Sequence, residues 1–305
     1  MKSRLILITL FAGSLALAGC ASGGPPKQAQ TTPVSGSTSS PGAPSGANPA
    51  LYNELPASAR AHGITMATAA TFGLPFATYA TNGHTIIGMD ASLAQALAKL
   101  IGVAITIQNV DLDEFIPGLV AHRYDFELSV TLDTKAREQI VSLVDYIKDG
   151  SGILVTSSYK GHVDSLSNIC GMTVTATTGS LEQQNVQAQS KACVAAGKPS
   201  VQLHVFATKA QEFLALHSGR VQAVVGDALQ MAWLVQQQNG FVRQEKAVWN
   251  AGIDGLAFPK GSPLVPIFQK ALQELMNNGT YNAILSHYNL KSWELTKATV
   301  NAAPY

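Results

Sequence analysis

Seven His and three Cys are spread along the chain with no His-x-x-x-His or Cys-x-x-Cys spacing. Without two ligands on one helix turn or one tight loop, no metal is expected, and no other cofactor. There is no stripe of Lys or Arg interleaved with aromatics, and the formal net charge is only +1, which argues against nucleic-acid binding. After residue 20 no apolar run reaches the roughly 20 residues that a membrane-spanning helix needs. No nucleophile–base spacing is visible either, so catalysis is not the first expectation.

What is present begins at the N-terminus. Lys2 and Arg4 precede the apolar stretch Leu5–Ala18, which is too short to span a bilayer comfortably and has the form of a secretory signal. Leu17-Ala18-Gly19-Cys20 then resembles the lipobox of bacterial lipoproteins, which implies acylation of Cys20 as the new N-terminus. An ordinary signal peptide with small residues before a Cys is the alternative. Loss of Lys2 and Arg4 with residues 1–19 lowers the formal charge of +1 by two.

Residues 21–50 are rich in Ser, Gly, Pro, Ala and Thr and carry one charge, Lys27. With so little to bury, residues 20–54 are expected to form a lipidated, disordered tether, a coil holding the folded part roughly 30 Å from its anchor. The remaining length suits two lobes of ordinary size. Cys170 and Cys193 are a lone pair in an exported chain. That suggests a disulfide closing a loop of about 24 residues; two buried free thiols are the other possibility.

Folding is expected to begin near Gly63. Strands at 64–68, 103–110, 173–176, 201–206 and 221–225 alternate with helices, the pattern of α/β layers with mostly parallel sheets. Asn82-Gly83 marks a hairpin turn, Asp90 is a candidate helix cap, and Gly102 ends the helix behind it. Asp149-Gly150-Ser151-Gly152 reads as a flexible break. The most informative stretch is Asp125 to Arg137: a short apolar run, then Ser129, Val130, Thr131 and Thr134, then a lone Arg. It places hydroxyls and N–H groups at a strand exit, where open α/β sheets bind ligands. Arg137 adds a fork of donors that matches a carboxylate in two parallel bonds. A surface ion pair is the plainer role for such an Arg.

The order of these elements resembles the bacterial extracellular solute-binding proteins of family 3, which serve polar amino-acid ABC transporters. The resemblance runs from about Gly63 to Leu290. It rests on Gly88-Met89-Asp90, Leu93-Ala94, Ala98, Phe115–Leu119, Tyr124-Asp125, Ser129, Thr134 and Arg137. It continues through Val221, Ala223–Val225, Asp227, Gly279-Thr280-Tyr281 and Ile284. The implied fold is α/β, a two-lobed periplasmic-binding-protein-like fold of type II. Two hinge strands join lobe 1 (55–149 and 254–305) to lobe 2 (152–250), and the lobes close on a ligand. Carried over, Arg137 takes the α-carboxylate and Asp227 the α-ammonium of an amino acid. Phe72 and Leu112 are walls, and Ser129, Val130, Leu132, Thr177, Ser180 and Leu181 surround the α-groups. Asp227 also reads as a helix cap, and Phe72 as core.

Three departures from the family pattern bear on the ligand. Leu132 and Leu181 stand where hydroxyl residues usually touch the α-groups. Ala69 stands where binders of basic amino acids carry an Asp, so a neutral amino acid is expected. Glu127 interrupts an otherwise apolar strand, as a paired structural carboxylate or as part of the cleft floor. The implied protein is a monomeric, lipid-anchored, extracytoplasmic binding protein that delivers its ligand to an ABC permease and its ATPase. The alternatives are an exported dehydratase-like enzyme, with Glu127 or Glu182 as its acid, and a ligand sensor for a membrane partner.

Overall fold

A computed structural model describes residues 42–304. The signal-like segment, Cys20 and most of the expected tether lie outside the described residues.

The first packed element lies inside the segment expected to be tether. Asn48 caps α1 (Pro49–Glu54), accepting from Ala50 N at 2.9 Å, and donates from its amide to Glu274 at 2.7 Å. Leu51, Tyr52 and Leu55 are buried. These apolar residues stand close to a polar run in sequence, and only their packing partners separate them from it. After α2 (Ala57–His62) come β1 (Ile64–Thr68) and the two-stranded hairpin of β2 (Thr78–Tyr79) and β3 (Ile86–Ile87). Helix α3 (Met89–Ile101) starts at Gly88 and not at Asp90, whose carboxylate is buried in the first turn and accepts from Thr68 Oγ1 at 3.0 Å. The helix ends as expected at Gly102, in the left-handed region.

Next come β4 (Ile105–Asn109), α4 (Phe115–Val120), β5 (Phe126–Glu127) and the one-turn α5 (Lys135–Glu138). A long strand, β6 (Val141–Thr156), follows. The second half of the chain builds β7 (Thr173–Thr177), α6 (Leu181–Ala195), β8 (Gln202–Phe206), α7 (Lys209–His217), β9 (Ala223–Asp227) and α8 (Ala228–Gln237). The chain closes with β10 (Val242–Pro259), α9 (Val265–Asn277) and α10 (Thr280–His287).

One eight-stranded sheet runs in the order β4-β1-β5-β10-β6-β9-β7-β8. Its two long central strands, β10 and β6, are antiparallel, and they carry β5, β1 and β4 on one side and β9, β7 and β8 on the other. The outer strands of each side pair in parallel. Each side buries its own core: Met66, Phe126, Phe258 and Phe268 among others in the first, and Ile153, Val174, Val186 and Val225 in the second. Two cores joined by two long strands are two lobes.

Asp149–Gly152 is therefore not a break in the chain but the middle of β6. Its pairing with β10 carries register shifts between Trp249 and Gly252 and between Asp254 and Gly255. These irregularities, where ladder bonds are interrupted, are where the two long strands can bend. The tail after Trp293 also has a place, since Val300 bridges Val144 and Glu294 bridges Ile147 along β6. Cys170 and Cys193 form the expected disulfide, tying the segment before β7 to α6.

Candidate functional site

A cleft of about 400 Å³, mouth included, opens where the two halves of the sheet meet. The first lobe contributes Phe72, Leu112, Val130, Leu132 and Arg137, and the second Ser180, Leu181, Glu182 and Asp227. The central strands supply Asp149, Gly150 and Asp254.

Arg137 reaches the cleft because α5 is a single turn started by Thr134, whose hydroxyl accepts from Arg137 N at 3.2 Å. The guanidinium donates through Nη1 to Leu132 O at 2.8 Å, which aims the rest of the fork into the cleft. Asp227 ends β9 and caps α8, taking Gln230 N on Oδ1 at 2.7 Å. The cap and the cleft readings of Asp227 are thus compatible: one oxygen holds the helix while the residue lines the cleft. Ser180 caps α6 in the same manner, accepting from Gln183 N at 3.0 Å, so the N-terminus of a 15-residue helix also faces the cleft.

Contacts across the cleft are close. Gln230 Nε2 donates to Phe72 O at 2.8 Å and to Leu74 O at 3.3 Å. Lys209 Nζ lies 4.7 Å from the Phe72 ring centroid, paired with Glu212 at 3.2 Å. Gly179, with φ +79°, passes so near Asp113 that a Cβ would fall 2.5 Å from the Asp113 Cβ. Ser151 on β6 donates to Glu182 at 2.5 Å.

The floor is acidic. Asp149, Asp227 and Asp254 are buried, and one carboxylate oxygen of each lies within 4.8 Å of the others. Asp149 Oδ1 accepts from Gly150 N at 2.6 Å and Leu229 N at 3.1 Å. Apart from hydrogen bonds shared among the three aspartates, no donor among the described residues reaches Asp149 Oδ2 or Asp254 Oδ2. Burial first, and the neighbouring carboxylates second, push all three carboxyls well above the usual range. Behind them burial raises Asp90 and Glu127 each to about 8, and Thr131 and Arg137 offset only part of the effect on Glu127. Glu127 is fully buried between β1 and β10, with the Thr131 hydroxyl as its side-chain partner.

Eight residues picked from the sequence converge on the cleft: Phe72, Leu112, Val130, Leu132, Arg137, Ser180, Leu181 and Asp227. Two do not line it. The Ser129 side chain is fully buried, and the Thr177 hydroxyl is spent on Glu212 at 2.6 Å. Ser129 lies two residues past the end of β5 and Thr177 is the last residue of β7, and both side chains turn inward, away from the cleft. Asp149 and Asp254 were missed as site residues because hinge glycines dominate their surroundings in sequence. The available signal was an Asp beside a Gly in each of two long strands, Asp149-Gly150 and Asp254-Gly255.

Comparison with known proteins agrees with this architecture. Residues 64–291 match the family described as Bacterial extracellular solute-binding proteins, family 3. Arginine-binding protein ArgT of Corynebacterium glutamicum is 27% identical over 220 residues, 72% of this chain and 72% of that one. The structure of an ancestral arginine-binding protein bound to arginine is similar at TM-score 0.64 and 32% identity, covering 74% of this chain and 97% of that one. A structure of an ancestral arginine-binding protein bound to glutamine is similar at TM-score 0.64 and 31% identity, over 74% and 97% of the two chains. With three quarters of its length matched, its two-lobed fold and its interlobe cleft, the chain belongs to the bacterial extracellular solute-binding proteins, family 3.

Proposed function

We propose that the protein is an extracytoplasmic binding protein, anchored through lipidated Cys20, that captures an amino acid by hinge closure. It then delivers the solute to an ABC permease and its ATPase. The observation that carries this reading is the placement of Arg137 and Asp227 in one cleft, on opposite lobes. A zwitterion needs both partners, so it favours the closed form over the open one, and ligand shifts the population. Charge-assisted bonds of about 1.5–3 kcal/mol each, with packing on Phe72 and Leu112, are enough for the about −8 kcal/mol of a micromolar complex.

The charge of the solute follows from the floor. Ala69 argued for a neutral side chain. Against it stand three buried carboxylates beside a single Arg. The names of the similar arginine-binding proteins lean the same way. A ligand with more positive charge than a neutral amino acid balances this site better. Catalysis is the second reading, since raised carboxyls serve as general acids; recovery of the solute unchanged after long incubation separates the two.

Thermal unfolding against the twenty amino acids tests the proposal, because a ligand that binds only the folded chain raises the midpoint. A shift that Arg137→Ala abolishes supports it. An unshifted midpoint with every amino acid overturns it.

A further inference from the structure

Asp149 and Asp254 exceed what the proposed zwitterion can use. Arg137 answers an α-carboxylate and Asp227 an α-ammonium, which leaves two buried carboxylates in the same cleft. They are 5% and 1% exposed, and apart from hydrogen bonds shared among the three aspartates each has an oxygen that no donor reaches among the described residues. Desolvated carboxylates of this kind either hold protons or take a cation. Arg137 and Glu127 face Asp254, Glu182 and Asp90 face Asp227, and the three aspartates face one another, so the surroundings are predominantly anionic.

Among the described residues the cleft lining carries one further carboxylate, Glu182, which already accepts from Ser151 Oγ at 2.5 Å. One face of the Phe72 ring is taken by Lys209, itself 4% exposed and paired with Glu212. A long side chain ending in a guanidinium or ammonium over Phe72 would therefore meet a like charge. The unanswered negative charge lies instead within 4.8 Å of the ammonium partner.

We propose that the ligand carries a second ammonium close to its α-ammonium, received by Asp149 and Asp254, which makes it a short-chain diamino acid. This rests on the amino-acid reading above and sharpens it. A diamine separated by two or three carbons places both nitrogens within such a cluster, whereas the terminal group of arginine or lysine extends past it. A divalent cation is the rival occupant, but it prefers six or more oxygens around it.

Titration calorimetry of the full chain tests this with L-2,4-diaminobutyrate, L-arginine, L-alanine and calcium chloride as separate titrants. Diaminobutyrate is expected to bind at least tenfold more tightly than either alanine or arginine. Asp149→Asn and Asp254→Asn, nearly isosteric, are each expected to lower diaminobutyrate affinity at least tenfold and so to erase that preference. Equal binding of alanine and diaminobutyrate by the wild type overturns the diamine proposal and leaves the amino-acid reading standing. So does tighter binding of arginine, or calcium binding that competes with diaminobutyrate. Failure of all three amino acids, in a chain that still unfolds cooperatively, overturns both. The comparison among ligands needs no variant, so misfolding of the Asn variants does not leave it undecided.

Discussion

The side-chain amide of Gln230, on α8 of the second lobe, donates to the main-chain oxygen of Phe72 on the first lobe at 2.8 Å. Phe72 O belongs to the loop that presents the aromatic wall, so one bond ties the wall's backbone to the helix capped by Asp227. Under the proposed function, this bond would couple ligand contacts to lobe closure through neighbouring residues of one chain segment.

Replacing Gln230 with Ala should weaken closure without disturbing either lobe. It deletes the bonds to Phe72 O and Leu74 O and leaves the buried Phe72 carbonyl without this donor, a loss of about 1–2 kcal/mol. Ligand affinity should fall about 5- to 30-fold. The loss should appear as faster dissociation in stopped-flow fluorescence, with the unfolding midpoint without ligand nearly unchanged. An unchanged dissociation rate would show that this bond does not hold the closed form.

Gly179 and Asp113 set how far the lobes approach. A Cβ on Gly179 would fall 2.5 Å from the Asp113 side chain and 2.9 Å from its Cα, and the positive φ adds strain. Gly179→Ala should hold the lobes apart. The radius of gyration from small-angle scattering should then stay the same with and without ligand, while the wild type contracts. Contraction of the variant to the wild-type value would remove the steric stop.

Glu127 makes stability depend on pH. Its folded carboxyl is raised from 4.5 to about 8, chiefly by burial, so the folded state holds a proton that the unfolded state releases at lower pH. The stabilisation is fully present below pH 4.5 and is lost as pH rises through about 8. Glu127→Gln mimics the protonated form. It should match wild-type stability near pH 4 and exceed it by a few kcal/mol near pH 8 in urea unfolding. Equal stability of the two proteins at both pH values would contradict the buried-acid account.

The disulfide should matter to stability and little to binding. Its two cysteines are 23 residues apart, and closing a loop of this length is worth roughly 3 kcal/mol in the chain-entropy model. The paired change Cys170→Ser and Cys193→Ser should lower the midpoint by about 5–10 °C. Ligand affinity should change by less than about threefold, because neither cysteine lines the cleft. A larger loss of affinity would mean that the bridge positions the cleft-facing start of α6.

The α/β class, the disulfide pair and the order of the elements could be read in the residues. Hydrophobic periodicity, Gly102 and the hairpin at Asn82-Gly83 act over a few residues, and a one-dimensional pattern retains such local causes. Arg137 and Asp227 stood out locally only as an Arg after a run of hydroxyl residues and as a cap after a strand, and their pairing in one site came from the resemblance to the family. Packing decided the rest. Leu51, Tyr52 and Leu55 could be recognised as core only once α3 and α9 covered them. Gly150 and Gly152 suggested a break, yet pairing with β10 made them the middle of a strand. Asp149 and Asp254, about a hundred positions apart, became one carboxylate cluster because the two central strands run antiparallel. Burial and the mutual distance of charges are long-range quantities, and no local window of sequence contains them.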